Sequence, residues 1–230
     1  MKQIKALRAA ACVLLALAVL IGGYAAYVFL DYHRIGDQTL DVTHGSGEGF
    51  LPLEDAVGTG STYRVSSANV GFGAYSADYS FFMDGGKESR ARSRQEVDRN
   101  IRGEVALIQA LSPDFALFQE VDTDGTRSYH IAEDAYLSDA MANCDYDEVF
   151  AQNYDSPYLF YPLTCPHGAN RSGIVTLSRH PITSAVRREL PVEQGFMKLV
   201  DLDRCYSVSR IPTANSRELV LYNLHLSAYT

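Results

Sequence analysis

The pattern of apolar and polar positions divides the 230-residue chain into one unbroken apolar run and a series of short periodic segments. The run extends from Ala9 to Leu30 without a charge. At about 1.5 Å per residue, a helix over it spans roughly 33 Å, enough to cross a hydrocarbon core of about 30 Å. Lys2, Lys5 and Arg8 precede it, and the positive-inside rule puts them in the cytoplasm and the rest of the chain outside. A cleaved signal peptide has a shorter core and a small-x-small exit, whereas here the apolar run continues past Ala25 and Ala26 through Leu30. The pattern therefore predicts a basic N-terminus at 1–8 and a single-pass transmembrane anchor at 9–30, with a cleaved signal as the alternative.

Residues 31–60, rich in Gly, Asp and Ser, read as a stalk, and a globular domain is expected over 61–230. "STYRVSSANVGFG" alternates and then breaks at Gly71 and Gly73, as a strand entering a loop does. Val97, Ile101, Val105, Ile108 and Leu111 follow at helical spacing, with a Ser93–Glu96 capping box before them and Pro113 after. "DFALFQEVD" is a nearly continuous apolar strand of the kind buried on both faces. Strand, helix and strand in this order predict a crossover unit and an α/β layered fold. A second helix is expected over 128–144 with Ile131, Ala135 and Leu137 or Ser138 inward. Five more strands are expected at 147–155, 172–182, 182–190, 204–212 and 217–226, the last two joined across "PTANS". This meander of strands predicts packed sheets with helices outside.

Charge and cysteine content refine the picture only slightly. Residues 35–230 hold 16 Lys/Arg against 27 Asp/Glu, a net of −11. Such a surface repels nucleic acid phosphates and anionic membranes at long range, although a local basic cleft can still hold a phosphate. Cys144, Cys165 and Cys205 would face an oxidising compartment, which allows one bridge and one spare thiol, with pairing unreadable from sequence. Neither HExxH nor GxSxG occurs, which removes the zinc-protease and esterase readings.

Three polar residues at strand ends are candidates for chemistry. Glu120 ends the buried strand, where it can serve as one of the one or two carboxylates that Mg²⁺ takes, or simply begin a solvated loop with Asp122 and Asp124. Asn69, beside Gly71, can bond a carboxylate or sit beside a metal, or act as an ordinary turn former. Alternation in "LVLYNLHL" puts Leu221, Asn223 and His225 on one face. A buried polar pair there needs partners, and His225 is either a satisfied core histidine or a group that bonds a phosphate or moves a proton. Lys87, Arg90, Arg92 and Arg94 cluster ahead of a helix start and either steer an anion or form a solvated loop. Asn170 opens an N-R-S sequon.

Taken in order, Asn69, "QE" at 119–120, "SGIVTLSRHPI" and "NLHL" resemble the endonuclease/exonuclease/phosphatase superfamily, and "MDGGKESRARS" resembles its membrane-anchored bacterial members. The resemblance runs from about Thr62 to Leu226. It implies a four-layer α/β sandwich, two packed mixed sheets with helices on both outer faces. It also implies a metal-dependent phosphoesterase using Mg²⁺ or Mn²⁺, in which metal-assisted water attacks a phosphate ester. Asn69 and Glu120 match the metal-side residues and His225 matches the phosphate-supporting histidine. No protein partner is implied, and the ester could be a nucleic acid, phospholipid or sugar phosphate. The family pattern continues past the "HL" strand with G-D-x-N and a final Asp-His pair, so a truncated, weakly active or inactive chain with an incomplete second sheet is expected. The alternative is a membrane-tethered binding or scaffolding domain that keeps the fold without catalysis.

Overall fold

The computed structural model describes residues 2–45, 56–142, 146–191 and 202–226. The chain falls into two units, Met1–His33 and Arg34–Thr230. The first is a single helix, α1, over Lys2–Asp31, none of whose described residues is buried. It is long and apolar enough to cross a bilayer.

The second unit is built on two sheets. The five-stranded sheet runs in the order β2-β5-β6-β4-β3, made of β3 (Val65–Asn69), β4 (Phe115–Gly125), β5 (Asp147–Leu159), β6 (Gly168–Ser178) and the two-residue β2 (Val42–Thr43). It is mixed: β3 and β4 are parallel, from Val65↔Phe115 to Asn69↔Gln119, and its other pairs are antiparallel. The four-stranded sheet, β1-β7-β8-β9, contains β1 (Gln38–Leu40), β7 (Ser184–Glu189), β8 (Cys205–Pro212) and β9 (Glu218–Leu224), paired antiparallel throughout. This is the expected α/β arrangement of two packed sheets with flanking helices.

The parallel β3–β4 pair requires a crossover, and α2 (Arg94–Leu111) supplies it. Ser93 caps the helix as expected, its side chain accepting from the Glu96 amide at 3.1 Å. Glu96 returns its carboxylate to the Arg92 amide instead of to Ser93. Ser112, in the left-handed region at φ 45°, ends the helix before Pro113. Val97, Ile101, Val105 and Ile108 are buried against Phe118, Val175 and Leu177 of the five-stranded sheet, while Leu111 stays exposed. The second helix, α3, covers Glu133–Ala142, shorter than the expected 128–144 because Tyr129 and His130 turn with positive φ. Leu137 and Met141 are its buried apolar residues; Ala135 is exposed. Among the described residues, α2 and α3 both pack on this sheet. Between the sheets lies a second cluster containing Phe115, Val149, Ala151, Ile174, Ala185, Cys205 and Ile211.

The expected stalk is corrected. Residues 38–43 are the edge strands β1 and β2, and Val57 is buried and bridged to Thr213; 46–55 lie outside the described residues. Strands of two or three residues leave no periodicity in a sequence. Arg187, fully buried, holds the segment instead: its guanidinium donates to the carbonyls of Ile35 (2.7 Å), Gly36 (2.9 Å), Gln152 (2.8 Å) and Asp203 (2.7 Å). Asp37 adds bonds to Arg188 and to the Glu189 amide.

Cys165 and Cys205 carry free thiols, and Cys144 lies outside the described residues. Asn170 is buried, its side chain accepting from the Arg127 amide, so in the folded domain it is no acceptor for a glycan.

Arg187→Met should lower stability by on the order of 3 kcal/mol, because four carbonyls lose charge-assisted partners. Thermal or denaturant unfolding of the chain in detergent measures this; a loss below about 0.5 kcal/mol would contradict the role given to Arg187.

Candidate active site

The site forms where strands from both sheets end. Asn69 closes β3 beside Gln119 of β4, and its amide nitrogen donates to Glu120 Oε1 at 2.8 Å. Its oxygen accepts from the Gly71 amide at 2.9 Å. The pairing of β4 with β6 shifts register between Phe118 and Val121, and at this bulge Glu120 sits in the left-handed region at φ 57°. A bulge re-aims a side chain in this way, turning the carboxylate out of the strand's alternation towards the end of the sheet. From the other sheet, His225 follows β9 directly, and its Nε2 lies 3.3 Å from the same Glu120 Oε1. An amide, a carboxylate and an imidazole, 156 positions apart at the extremes, thus meet at one oxygen.

The two sheets are held in this relation by buried polar contacts. Gln119 Nε2 donates to Asn223 Oδ1 at 2.8 Å, and Asn223 Nδ2 donates to the Val175 carbonyl at 2.9 Å. Thr176 and Ser207 hydroxyls add a 3.3 Å contact between the sheets. Asn223 therefore has the partners that its place on an apolar strand demands.

Behind Glu120 lies a buried ion pair with no signature in the sequence pattern. Arg127 binds both oxygens of Asp122, the shortest contact being 2.6 Å, and Ser128 donates to Asp122 at 2.8 Å. The Glu133 carboxylate accepts from the Asp122 amide; burial, then the Asp122 charge, push its proton affinity well above the ordinary carboxylate range. The Arg127 guanidinium lies 4.1 Å from the ring centre of Phe72, which is held at φ 43° between Gly71 and Gly73. A Cβ at Gly73, φ 65°, would stand 2.7 Å from Val97, so the tight loop needs glycine there.

These groups surround a cavity of about 190 Å³, lined in part by Tyr75, Glu120, Arg127, Asn153, His167 and His225. Burial raises the proton affinity of Glu120, but hydrogen bonds from His225 and Asn69 and the Arg127 charge outweigh it and hold the carboxyl below its ordinary value. The site thus presents an ionised, partly shielded carboxylate, 22% exposed, beside an imidazole that is 15% exposed. The expected basic cluster does not contribute: Arg92 pairs with Asp78 and Glu88, Arg94 donates to the Tyr129 carbonyl, and Arg90 donates to Cys165 Sγ. Sequence pattern also missed Asn153, at a register shift in the middle of β5, and His167, in the loop just before β6, neither of which carries a motif.

The donor set bears on a divalent cation. A hard cation needs oxygen, often only one or two carboxylates completed by water and phosphate, and Glu120 meets that minimum. Asn69, with its oxygen taken by Gly71, serves as placed to hold the carboxylate. No group of three His, Cys, Asp or Glu suited to a metal occurs among the described residues.

A layered α/β sandwich with this cluster at its strand ends is of the phosphoesterase type. The chain belongs to the endonuclease/exonuclease/phosphatase family, whose sequence profile matches residues 66–219. A search of curated proteins found no match. Among solved structures, the chain is similar to an endonuclease/exonuclease/phosphatase from Beutenbergia cavernae at 20% identity and TM-score 0.48, covering 73% of this chain and 39% of that one. It is also similar to a family protein from Leptotrichia buccalis (14%, TM-score 0.44, covering 72% and 55%) and to ANGEL2, a 2′,3′-cyclic phosphatase (13%, 0.48, covering 73% and 41%). The chain thus spans less than two thirds of the length of each of these three.

His167 provides a pH test of the site's packing. Burial, then the Arg127 charge, lower its proton affinity to about 4. An unfolded histidine takes its proton near 6.5, so between pH 6.5 and 4 the unfolded state binds more protons and stability is lost as the pH is lowered. Over that window His167 should account for on the order of 3 kcal/mol. Unfolding measured at several pH values should show a shallower acid loss in His167→Gln; equal slopes would contradict a buried, neutral His167.

Proposed function

We propose that the protein is a divalent-metal-dependent phosphoesterase anchored in a membrane by α1, with residues 2–8 cytoplasmic and the sandwich extracytoplasmic. The observation that carries the reading is the convergence of Asn69, Glu120 and His225 on one oxygen at the mouth of a cavity. Family membership supports the reaction class. The length and apolarity of α1 and the flanking Lys2, Lys5 and Arg8 support the anchor.

In this reading Glu120 holds Mg²⁺ or Mn²⁺, with Asn69 and the Arg127 field keeping its carboxyl ionised and aimed. Bound there, the cation supplies charge neutralisation on phosphoryl oxygens and a nucleophilic water. His225 has Nε2 towards Glu120 and Nδ1 with no partner among the described residues, which leaves it able to hydrogen-bond a phosphate oxygen. The buried Arg127 lends positive potential to the same cavity, favouring an anionic substrate over the repulsion of a domain with net charge −11. That overall charge disfavours long nucleic acids and leaves small phosphate esters and phospholipid headgroups as the better substrates.

The purified chain, assayed in Mg²⁺ or Mn²⁺ against DNA, a phosphomonoester and sphingomyelin, should hydrolyse at least one, with activity lost on chelation. Glu120→Gln and His225→Ala should each reduce the rate by about a hundredfold or more. Chelator-insensitive turnover, or full activity in Glu120→Gln, would remove the metal-carboxylate reading. Folded protein without turnover on any ester would favour a non-catalytic binding domain.

A further inference from the structure

The chain enters the sandwich at the same end as the cavity. α1 ends at Asp31, and Arg34 is already fixed to the four-stranded sheet, its guanidinium donating to Glu189 Oε2 at 2.8 Å and to the Leu190 carbonyl. Glu189 closes β7 and pairs with Cys205 at the start of β8, where Tyr206 pairs with Leu224 at the end of β9. At about 4.8 Å per strand, the end of β7 lies roughly 10 Å from the end of β9, which His225 follows. Arg187 leads to the same place by a second route. It binds the carbonyls of Ile35 and Gly36 and that of Gln152; Gln152 pairs with Gly173, and Gly173 with Val121, the neighbour of Glu120.

So short a tether constrains where the cavity opens. From Asp31 to Arg34 are three Cα steps, at most about 11 Å in any direction. The apolar run of α1 ends at Leu30, which puts Asp31 at the level of the lipid headgroups in an anchored chain. The strand ends carrying Glu120 and His225 are thereby kept close to the bilayer surface. Entry at the opposite ends of the same strands would hold them farther off by the length of β7, roughly 20 Å for its six residues.

The surface at this end is apolar. β4 and β6 run on past Glu120 to the pair Gly125↔Asn170, so the turn between β5 and β6 projects beyond the site. That turn lies in the uncharged stretch 156–166, with Tyr161 68% and Leu163 84% exposed. The Tyr161 ring stands 5.8 Å from that of Phe82, whose neighbour Met83 lines the cavity with Tyr75, and both of these are exposed as well. Exposed Tyr, Met and Leu without charge suit the bilayer interface. In a domain of net charge −11, an uncharged face is also where a bilayer approaches at least electrostatic cost.

We propose that the mouth of the cavity faces the bilayer in which α1 is anchored, that the β5–β6 turn dips into its interface, and that the ester hydrolysed is the headgroup phosphodiester of a phospholipid in that leaflet. Hydrolysis adds water across one P–O ester bond and releases an alcohol and a phosphate monoester. The substrate assignment rests on the anchored phosphoesterase reading.

The chain contains no tryptophan, so Tyr161→Trp supplies a single reporter. Reconstituted in phosphatidylcholine vesicles carrying brominated acyl chains, this variant should lose at least about half of its fluorescence. A reporter at the far end of the sandwich, Arg217→Trp in the β8–β9 turn, should lose none. Equal quenching of the two, or none of Trp at 161, would overturn the docking. In Mg²⁺, the reconstituted chain should hydrolyse the vesicle phosphatidylcholine at least about tenfold faster than dissolved glycerophosphocholine, which has the same headgroup without acyl chains. Leu163→Asp should lower the lipid rate about tenfold and leave glycerophosphocholine hydrolysis unchanged. Hydrolysis of glycerophosphocholine or a dissolved phosphomonoester without hydrolysis of the lipid would overturn the lipid substrate and leave the phosphoesterase reading standing. No hydrolysis of any of the three would contradict that reading, and the lipid substrate would fall with it.

Discussion

Everything at the site depends on how the two sheets are locked against each other. Apolar faces alone tolerate sliding, because burial has no direction and several registers bury similar area. The Gln119–Asn223 bond and the donation of Asn223 to the Val175 carbonyl remove that freedom, since a slip would strand buried polar groups. Gln119 and Glu120 are neighbours, and Asn223 and His225 are two apart on the same strand face. Fixing one pair therefore fixes the other. The β4 bulge completes the arrangement by turning Glu120 towards His225 where regular alternation would not.

A second layer of organisation is electrostatic. An isolated carboxylate in a partly closed site tends to take up a proton, and burial is the largest influence on Glu120. Two hydrogen bonds and a buried guanidinium reverse that tendency. Arg127 is in turn tolerated in the interior only because Asp122 binds it through both oxygens and Phe72 and Tyr154 stack near it. The loop 71–73, the α3 start at Glu133 and the β4–α3 turn all serve that pair. Much of the polar interior around the five-stranded sheet thus works to keep one carboxylate charged.

The long elements were legible because their periods are long enough to read: α2 from four apolar positions, and the strands β4 to β9 from their alternation or apolar runs. Asn69, Glu120 and His225 each had an ordinary alternative when read singly, and only their order in the chain set them apart. What could not be read was non-local. β1 and β2 are too short to show a period, and their place depends on carbonyl bonds from Arg187, some 150 residues away. Asp122 read as a loop acid and Arg127 drew no reading at all, because sequence does not reveal that they are buried together. Asn170 met a glycosylation pattern whose tripeptide carries no information on burial. His167 and Asn153 line the cavity from a loop and from the middle of a strand, a placement that exists in three dimensions alone.

The central claim is that Glu120, steadied by Asn69 and facing His225, is the carboxylate of a divalent-cation site. Electron paramagnetic resonance of Mn²⁺ titrated into the full chain in detergent reads this directly, independent of substrate or turnover. One tight Mn²⁺ equivalent is predicted for the parent protein, lost in Glu120→Gln and weakened in Asn69→Ala while both variants remain folded. An Mn²⁺ site of unchanged affinity in Glu120→Gln would contradict the account.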